Sequence, residues 1–123
     1  MSYENIWEKH GVYRKYNNCV TGKEILQAVQ DVESDNRFDL ICYVINDYLD
    51  VTEVDVSFEK IKIIAAIDDA AALTNPNIKV AQVTTNSAIE DLAQFYSERP
   101  GNNRYHSKLF TSLDEAREWI AYR

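Results

Sequence analysis

Leu40-Ile41-Cys42-Tyr43-Val44-Ile45 is an uninterrupted apolar run in the first half of the chain. A strand exposed on one face alternates polar and apolar side chains, and this run does not alternate. Strands that are covered on both faces occur mainly in parallel sheets, where helices pack on the two sides. The run therefore predicts a buried strand in a mainly parallel sheet.

Helix starts are predicted on both sides of this run, wherever a serine or threonine precedes a glutamate by three residues. In this capping box the hydroxyl accepts from the backbone of the glutamate, and the carboxylate reaches back to the cap residue. Each example precedes apolar residues at helical spacing, and the examples are Thr21 to Glu24, Ser87 to Glu90 and Ser112 to Glu115. Ser57 predicts one more helix, running to about Thr74.

The remaining segments predict strands. Two strands are expected between Asn5 and Val20, separated by a turn at Gly11, and further strands at 78–83 and 105–110. The resulting order is ββαβαβαβα, an α/β fold. Strands that alternate with helices predict right-handed crossovers and a mostly parallel twisted sheet, with an antiparallel hairpin at its N-terminal edge. At 123 residues, a single domain is expected over 1–123.

Charge and composition exclude several classes of protein. The formal net charge is -7, so binding to nucleic acid or to an anionic membrane surface is disfavoured. No apolar run approaches the ~20 residues of a membrane span, and the first ten residues lack the apolar core of a signal peptide. The sequence therefore predicts a cytoplasmic protein, in which Cys19 and Cys42 are free, buried thiols.

No set of residues predicts catalysis. The chain has two histidines and three glycines, and it lacks a phosphate-binding loop, a nucleophile elbow and a paired-cysteine metal pattern. The acidic segment with Asp47, Asp50, Glu53 and Asp55 lacks the ligand spacing of a calcium loop, so we expect a solvated connection. We predict no enzyme, with no catalytic residue, metal or cofactor.

Asp68 is the most informative polar residue of the predicted Ser57–Thr74 helix. On a helical projection it lies near the centre of an apolar arc formed by Ile61, Ile64, Ala65, Ala71 and Ala72. A carboxylate in such a position must be paired, hydrogen-bonded, or open to a cavity or a partner. Two alternatives follow, a satisfied acid at the helix–sheet edge or subunit contact, and an acid that faces a ligand.

The same helix is apolar over more than one face, because Ile63, Ile67 and Ala70 extend the arc. A helix that is apolar nearly all round is usually buried on two sides. The second side is expected to meet a neighbouring helix, a partner subunit such as a second copy of the chain, or an apolar ligand. The candidate partner- or ligand-facing residues are Asp68, Ile64, Ile67 and Ala71.

Short segments over nearly the whole chain carry a resemblance to a known family. They are Gly11-Val12-Tyr13, Val20-Thr21-Gly22-Lys23-Glu24-Ile25, Arg37-Phe38-Asp39, Tyr43-Val44-Ile45-Asn46-Asp47, Ala65-Ala66-Ile67-Asp68, Asn75-Pro76-Asn77-Ile78-Lys79-Val80-Ala81 and Glu115-Ala116-Arg117-Glu118-Trp119. With the element order above, the chain resembles the SpoIIAA-like family, relatives of the STAS domain (sulfate transporter and anti-sigma factor antagonist).

The resemblance implies a non-enzymatic module that binds a protein or a ligand. Regulatory STAS proteins are phosphorylated in an Asp-Ser-Ser/Thr-Gly stretch that opens a helix, and the comparable stretch here is Asp55-Val56-Ser57-Phe58. Ser57 matches the phosphorylated position, whereas Val56 and Phe58 depart from the pattern. Ser57 is thus a weak candidate phosphosite and a stronger candidate helix cap.

The predicted function is a stand-alone STAS-like interaction module with an unknown protein partner. The alternative is a binder of a small apolar or lipid-like ligand between helices and sheet, since some members of the family resemble lipid-binding domains at the level of the fold. A ligand binder needs a preformed apolar pocket of several hundred Å³, on the order of those found around drug-sized ligands.

Overall fold

The structure is a computed structural model that describes residues 2–99 and 105–122. The described elements follow the predicted order ββαβαβαβα, with one extra 3-10 helix at Asn36–Leu40. The strands are β1 (Tyr3–Trp7), β2 (Gly11–Thr21), β3 (Tyr43–Asp55), β4 (Lys79–Val83) and β5 (His106–Phe110). The helices are α1 (Gly22–Glu33), α2 (Phe58–Ala71), α3 (Ser87–Glu98) and α4 (Leu113–Ala121).

The strands form a mixed sheet in the order β1-β2-β3-β4-β5. β1 pairs antiparallel with β2, and every other neighbouring pair is parallel, so the predicted fold class is confirmed. Apolar residues of α1, α2 and α3 pack with one face of the sheet, and Ala116 of α4 packs with the other. The space between the sheet and the three-helix layer contains the candidate site described below.

Alternation along β2 decides which side chains enter that space. Val12, Arg14 and Tyr16 point to the three-helix layer and are buried, whereas Tyr13 packs with the α4 side. On β3, Val44 and Tyr48 likewise pack with the three-helix layer. Arg14 therefore lies among core residues although it is charged, because alternate residues of a strand share one face and Arg14 shares that of Val12 and Tyr16.

The apolar run 40–45 does not form a strand over its whole length. Leu40 ends the 3-10 helix and is 77% exposed, while Phe38 and Ile41 fill the core around it. β3 begins at Tyr43 because its parallel partner β2 begins at Gly11, which pairs with Tyr43. The buried strand was predicted correctly, and its start was wrong.

The acidic connection predicted after this run is instead strand. β3 continues to Asp55 because β2 supplies pairing partners as far as Thr21. Asp47 is buried, where it accepts hydrogen bonds from Tyr13 Oη and from the backbone of Leu49. Residues 17–21 and 50–55 form a two-stranded ribbon, because β1 and β4 pair with the earlier parts of β2 and β3 only.

The helix caps agree with the sequence in part. The hydroxyl groups of Thr21, Ser57 and Ser112 each accept a backbone hydrogen bond at the start of their helix, as predicted. α3 differs, because Asn86 rather than Ser87 caps it and its amide oxygen accepts from two backbone N–H groups. Glu24 reaches back to its cap residue, since its carboxylate accepts from the Thr21 hydroxyl at 3.2 Å, and it also accepts from Ser2 N at 2.9 Å.

Two further predictions need correction. Both cysteines are free, but Cys19 is half-buried and Cys42 is exposed. Cys19 lies in the narrow ribbon and Cys42 in the link that precedes β3, where fewer elements cover them. α2 ends at Ala71 rather than Thr74, and a turn follows it.

Candidate functional site

A row of polar side chains crosses the sheet beneath the three-helix layer. Arg14, Asn46 and Gln82 occupy paired positions on β2, β3 and β4, and all three are buried. Arg14 Nη1 donates to Asn46 Oδ1 at 2.9 Å, and Asn46 Nδ2 donates to Gln82 Oε1 at 3.1 Å. Parallel register alone places these residues side by side, so the row depends on the fold rather than on a local motif.

Arg14 is a buried cation whose direct partners are neutral. Its Nε donates to Asn5 Oδ1 at 2.7 Å, and its Nη2 donates to the Ala28 carbonyl at 3.2 Å. Only 3% of Arg14 is exposed. A buried charge is strongly unfavourable unless an opposite charge compensates it, so carboxylates in the same layer must balance this guanidinium.

Glu33 and Asp68 form a carboxyl pair above the polar row. Asp68 Oδ2 accepts from Tyr96 Oη at 2.5 Å, and Glu33 Oε2 accepts from Tyr105 Oη at 3.1 Å. Burial, together with the neighbouring Asp68 carboxylate, raises the pKa of Glu33 well above its usual range. Burial also raises the pKa of Asp68, against the hydrogen bonds from Glu33 and Tyr96 that lower it.

The pair therefore keeps a proton at neutral pH. Two carboxyl groups that hydrogen-bond to each other share one proton, because both cannot ionise together in a buried site. With one proton on the pair, Glu33 and Asp68 carry a single negative charge between them. The positive charge of Arg14 balances that charge, and the cluster is neutral as a whole.

A cavity of about 70 Å³ lies between the sheet and the helices and includes this cluster in its wall. Ile64 and Asp68 of α2 and Tyr16 and Glu33 of the facing elements line it. One buried polar atom of the wall, Tyr16 Oη, has no hydrogen-bond partner among the described residues. A space of this volume holds roughly five water molecules, and it is too small for a lipid chain.

The C-terminal ends of three helices meet at the carboxyl pair. Glu33 is the last residue of α1, Asp68 lies in the last turn of α2, and Tyr96 lies in the last turn of α3. None of these last turns contains a basic residue, but Arg99, which follows α3, donates to the Tyr96 carbonyl. Helix C-termini carry partial negative charge, so they add to the negative potential around the pair.

A separate groove of about 570 Å³ runs between α2 and α3 on the outer side of the helix layer. The small side chains of Ala65 and Ala66 leave this space open opposite Phe95 of α3. Arg99 and Asp69 pair at 2.6 Å in its wall. The described residues that line it are Ile61, Lys62, Ala65, Ala66, Asp69, Phe95, Tyr96, Glu98 and Arg99.

The candidate residues from the sequence divide between these places. Asp68 and Ile64 lie in the cavity wall, whereas Ile67 and Ala71 are half-buried and pack against core clusters. Asp68 lies in the cavity wall and accepts a hydrogen bond from Tyr96, so it is a hydrogen-bonded acid, and the alternative that it faces a ligand stays a prediction. Ser57 caps α2 at the opposite end from Asp68, and its hydroxyl accepts from Lys60 N at 3.1 Å.

The comparisons identify no relative, since no protein-family model, no curated protein and no solved structure matches the chain. Over residues 2–99 and 105–122, every helix is too short or too polar to cross a bilayer. Within the same ranges, no group of three or more His, Cys, Asp or Glu residues is arranged to hold a metal ion. The site must therefore be interpreted from its own geometry.

Proposed function

We propose that this chain is a non-enzymatic, cytoplasmic, STAS-like interaction module that binds a partner protein in the α2–α3 groove. The observation that supports the proposal is the groove itself, about 570 Å³ of space between two helices with Ala65 and Ala66 at its floor. The occupant that fits it is an amphipathic helix of the partner, inserting its apolar face.

An exposed apolar residue of α2 supports this choice. Phe58 is 49% exposed and contacts Phe95 of the groove edge to ring, with the centroids 4.9 Å apart. Aromatic residues at the border of an apolar groove are typical of protein-binding surfaces. Lys62 and Glu98 add one charge of each sign to the groove wall, which suits a partner helix with charges on both flanks of its apolar face.

The test fills the groove without disturbing the core. Ala66 is exposed and lines the groove, so Ala66→Trp is expected to block the partner while the fold is retained. Ala121→Trp is the matched control, because it places the same side chain at an exposed position of α4, on the opposite face of the sheet. In quantitative pull-downs from the native host, Ala66→Trp should capture at least about tenfold less of a protein bound in the groove than the natural chain does. A tenfold loss corresponds to about 1.4 kcal/mol of binding free energy.

A follow-up measurement decides the matter with a purified partner. Affinity must fall with Ala66→Trp and stay unchanged with Ala121→Trp, and sedimentation of the purified chain asks whether a second copy is the partner. Capture that is equal for both variants would rule out the groove as the binding surface.

A small apolar ligand is the second candidate for the same groove. Its volume lies in the range of about 300–1,000 Å³ that is common for ligand pockets, whereas the interior cavity of about 70 Å³ lies far below it. Native mass spectrometry of freshly purified protein separates the two functions. A retained small mass that disappears with Ala66→Trp favours the ligand, and its absence beside a lost protein partner favours the interaction module.

A further inference from the structure

We propose that the interior cavity binds a compact cation that donates hydrogen bonds, either the ammonium ion or the end of a short primary amine. The site is the Glu33–Asp68 carboxyl pair together with the Tyr16 hydroxyl. It is separate from the α2–α3 groove and does not depend on the function proposed there.

The first argument is charge. Arg14 is the guanidinium that faces the cavity from the sheet, and two carboxyl groups face it from α1 and α2. Arg99 also acts on Asp68 from the end of α3, but it forms an ion pair with Asp69. One additional positive charge would allow both Glu33 and Asp68 to ionise, and the C-termini of α1 and α2 favour a cation at the same place.

The second argument is the unpartnered hydroxyl of Tyr16. Tyr16 lines the cavity and is 0% exposed, and its ring stacks on Tyr48 with the centroids 4.7 Å apart, which fixes its position. A buried hydroxyl without a partner is unfavourable, so its presence indicates a missing donor or acceptor. Both Arg14 and Asp68 act on this hydroxyl, and Arg14 acts more strongly.

The chemistry of the walls selects the class of cation. The unpartnered atom is a phenolic oxygen, which accepts a hydrogen bond from an N–H group, and so do the two carboxylates once their shared proton has left. A calcium ion needs six to eight oxygen ligands, a larger set than two carboxyl groups and one hydroxyl provide.

Binding exchanges a proton for the cation. In the empty site one proton is shared between Glu33 and Asp68. When the ammonium group enters, its N–H groups donate to the carboxylates and the shared proton leaves to the solvent. The total charge of the cluster stays at zero, because one positive charge replaces another.

The probe is methylammonium chloride, with tetramethylammonium chloride and potassium chloride as controls at equal ionic strength and pH 8. Tetramethylammonium has the charge but no N–H donor, and potassium has the charge and nearly the size of the ammonium ion but no N–H donor. We expect methylammonium alone to raise the midpoint of thermal unfolding, by about 5 °C near saturation. Titration calorimetry in two buffers of different ionisation enthalpy should detect the release of about one proton per bound cation.

Variants assign the effect to the site. Glu33→Gln and Asp68→Asn should each abolish the rise and the proton release, and Tyr16→Phe should weaken the affinity. Glu118→Gln removes an exposed carboxylate of α4, and its response to methylammonium should equal that of the natural chain. A natural chain that does not respond to methylammonium, an equal response to potassium or tetramethylammonium, or a response retained by Glu33→Gln would overturn the proposal.

Discussion

The double variant Glu33→Gln/Asp68→Asn is expected to lose about 3–5 kcal/mol of its free energy of unfolding relative to either single variant. Each single variant keeps one carboxylate, which balances the charge of Arg14. The double variant keeps none, and Arg14 is then a buried charge whose partners Asn5, Asn46 and the Ala28 carbonyl are neutral. Removing the last opposite charge from a buried cation is among the most unfavourable changes in a protein core.

The single variants should be tolerated because an amide reproduces the hydrogen bonds of the shared proton. In Glu33→Gln the new amide N–H donates to Asp68, and its oxygen accepts from Tyr105 as Glu33 Oε2 does now. In Asp68→Asn the new amide donates to Glu33 and accepts from Tyr96. Each single change is expected to stay within about 1 kcal/mol of the natural chain at pH 6.

Urea unfolding of the four proteins at pH 6 completes a double-mutant cycle. The expected result is a large coupling energy, because each substitution is harmless only while the other carboxylate remains. Additive effects would contradict the proton-sharing pair. A double variant as stable as the singles would mean that the natural pair carries two protons and that Arg14 is balanced elsewhere.

At pH 9 the Glu33→Gln variant is expected to be more stable than the natural chain, although the two are similar at pH 5. Glu33 has a raised pKa in the folded protein, whereas in the unfolded chain it ionises near its usual 4.5. Between those two values the folded protein holds a proton that the unfolded chain has released. The free energy of unfolding therefore falls as pH rises through this window. The stabilisation from this proton is complete only below the pKa of Glu33 in the unfolded chain.

The slope gives the size of the effect. A full proton difference costs about 1.4 kcal/mol per pH unit, and solvent that reaches part of Glu33 narrows the pH range over which this slope applies. The glutamine side chain of the Glu33→Gln variant has no proton to lose, so its stability should be nearly flat from pH 5 to pH 9 apart from other titrating groups. Glu118→Gln, on exposed α4, should keep the slope of the natural chain.

Unfolding free energies measured at intervals of one pH unit provide the check. The difference between Glu33→Gln and the natural chain should grow steadily with pH, and Asp68→Asn should show the same flattening. Parallel curves for Glu33→Gln and the natural chain would show that Glu33 ionises normally in the folded protein.

Local patterns were sufficient to predict the order of elements. The hydroxyl caps at Thr21, Ser57 and Ser112 act within a few residues of the chain, and so their positions are visible in the sequence. The start of β3 was not, because it depends on where β2 begins and on Phe38 filling the core instead of Leu40. Cap assignment also failed at α3, where both Asn86 and Ser87 are good cap residues.

The site was predicted only through Asp68. A carboxylate in the apolar arc of a helix stands out by periodicity, and this one proved to be buried in the cavity wall. Glu33 was missed because a glutamate at the end of a helix is ordinary. Arg14 could have been recognised as buried, since it lies on the same strand face as Val12 and Tyr16. Its neighbours Asn46 and Gln82 are set by parallel register, which no local pattern contains.

The ribbon of residues 17–21 and 50–55 has a consequence for how the chain behaves at high concentration. Both of its outer borders lack a strand partner within the described residues, and such borders can recruit another molecule into a growing aggregate. The border formed by β3 carries the carboxylates of Asp50, Glu53 and Asp55. On β2, two irregularities in the pairing with β3 and the left-handed backbone of Asn18 (φ 58°) disturb the regular strand geometry. The same acidic residues that look like a solvated loop in the sequence thus protect an exposed β-edge from intermolecular growth.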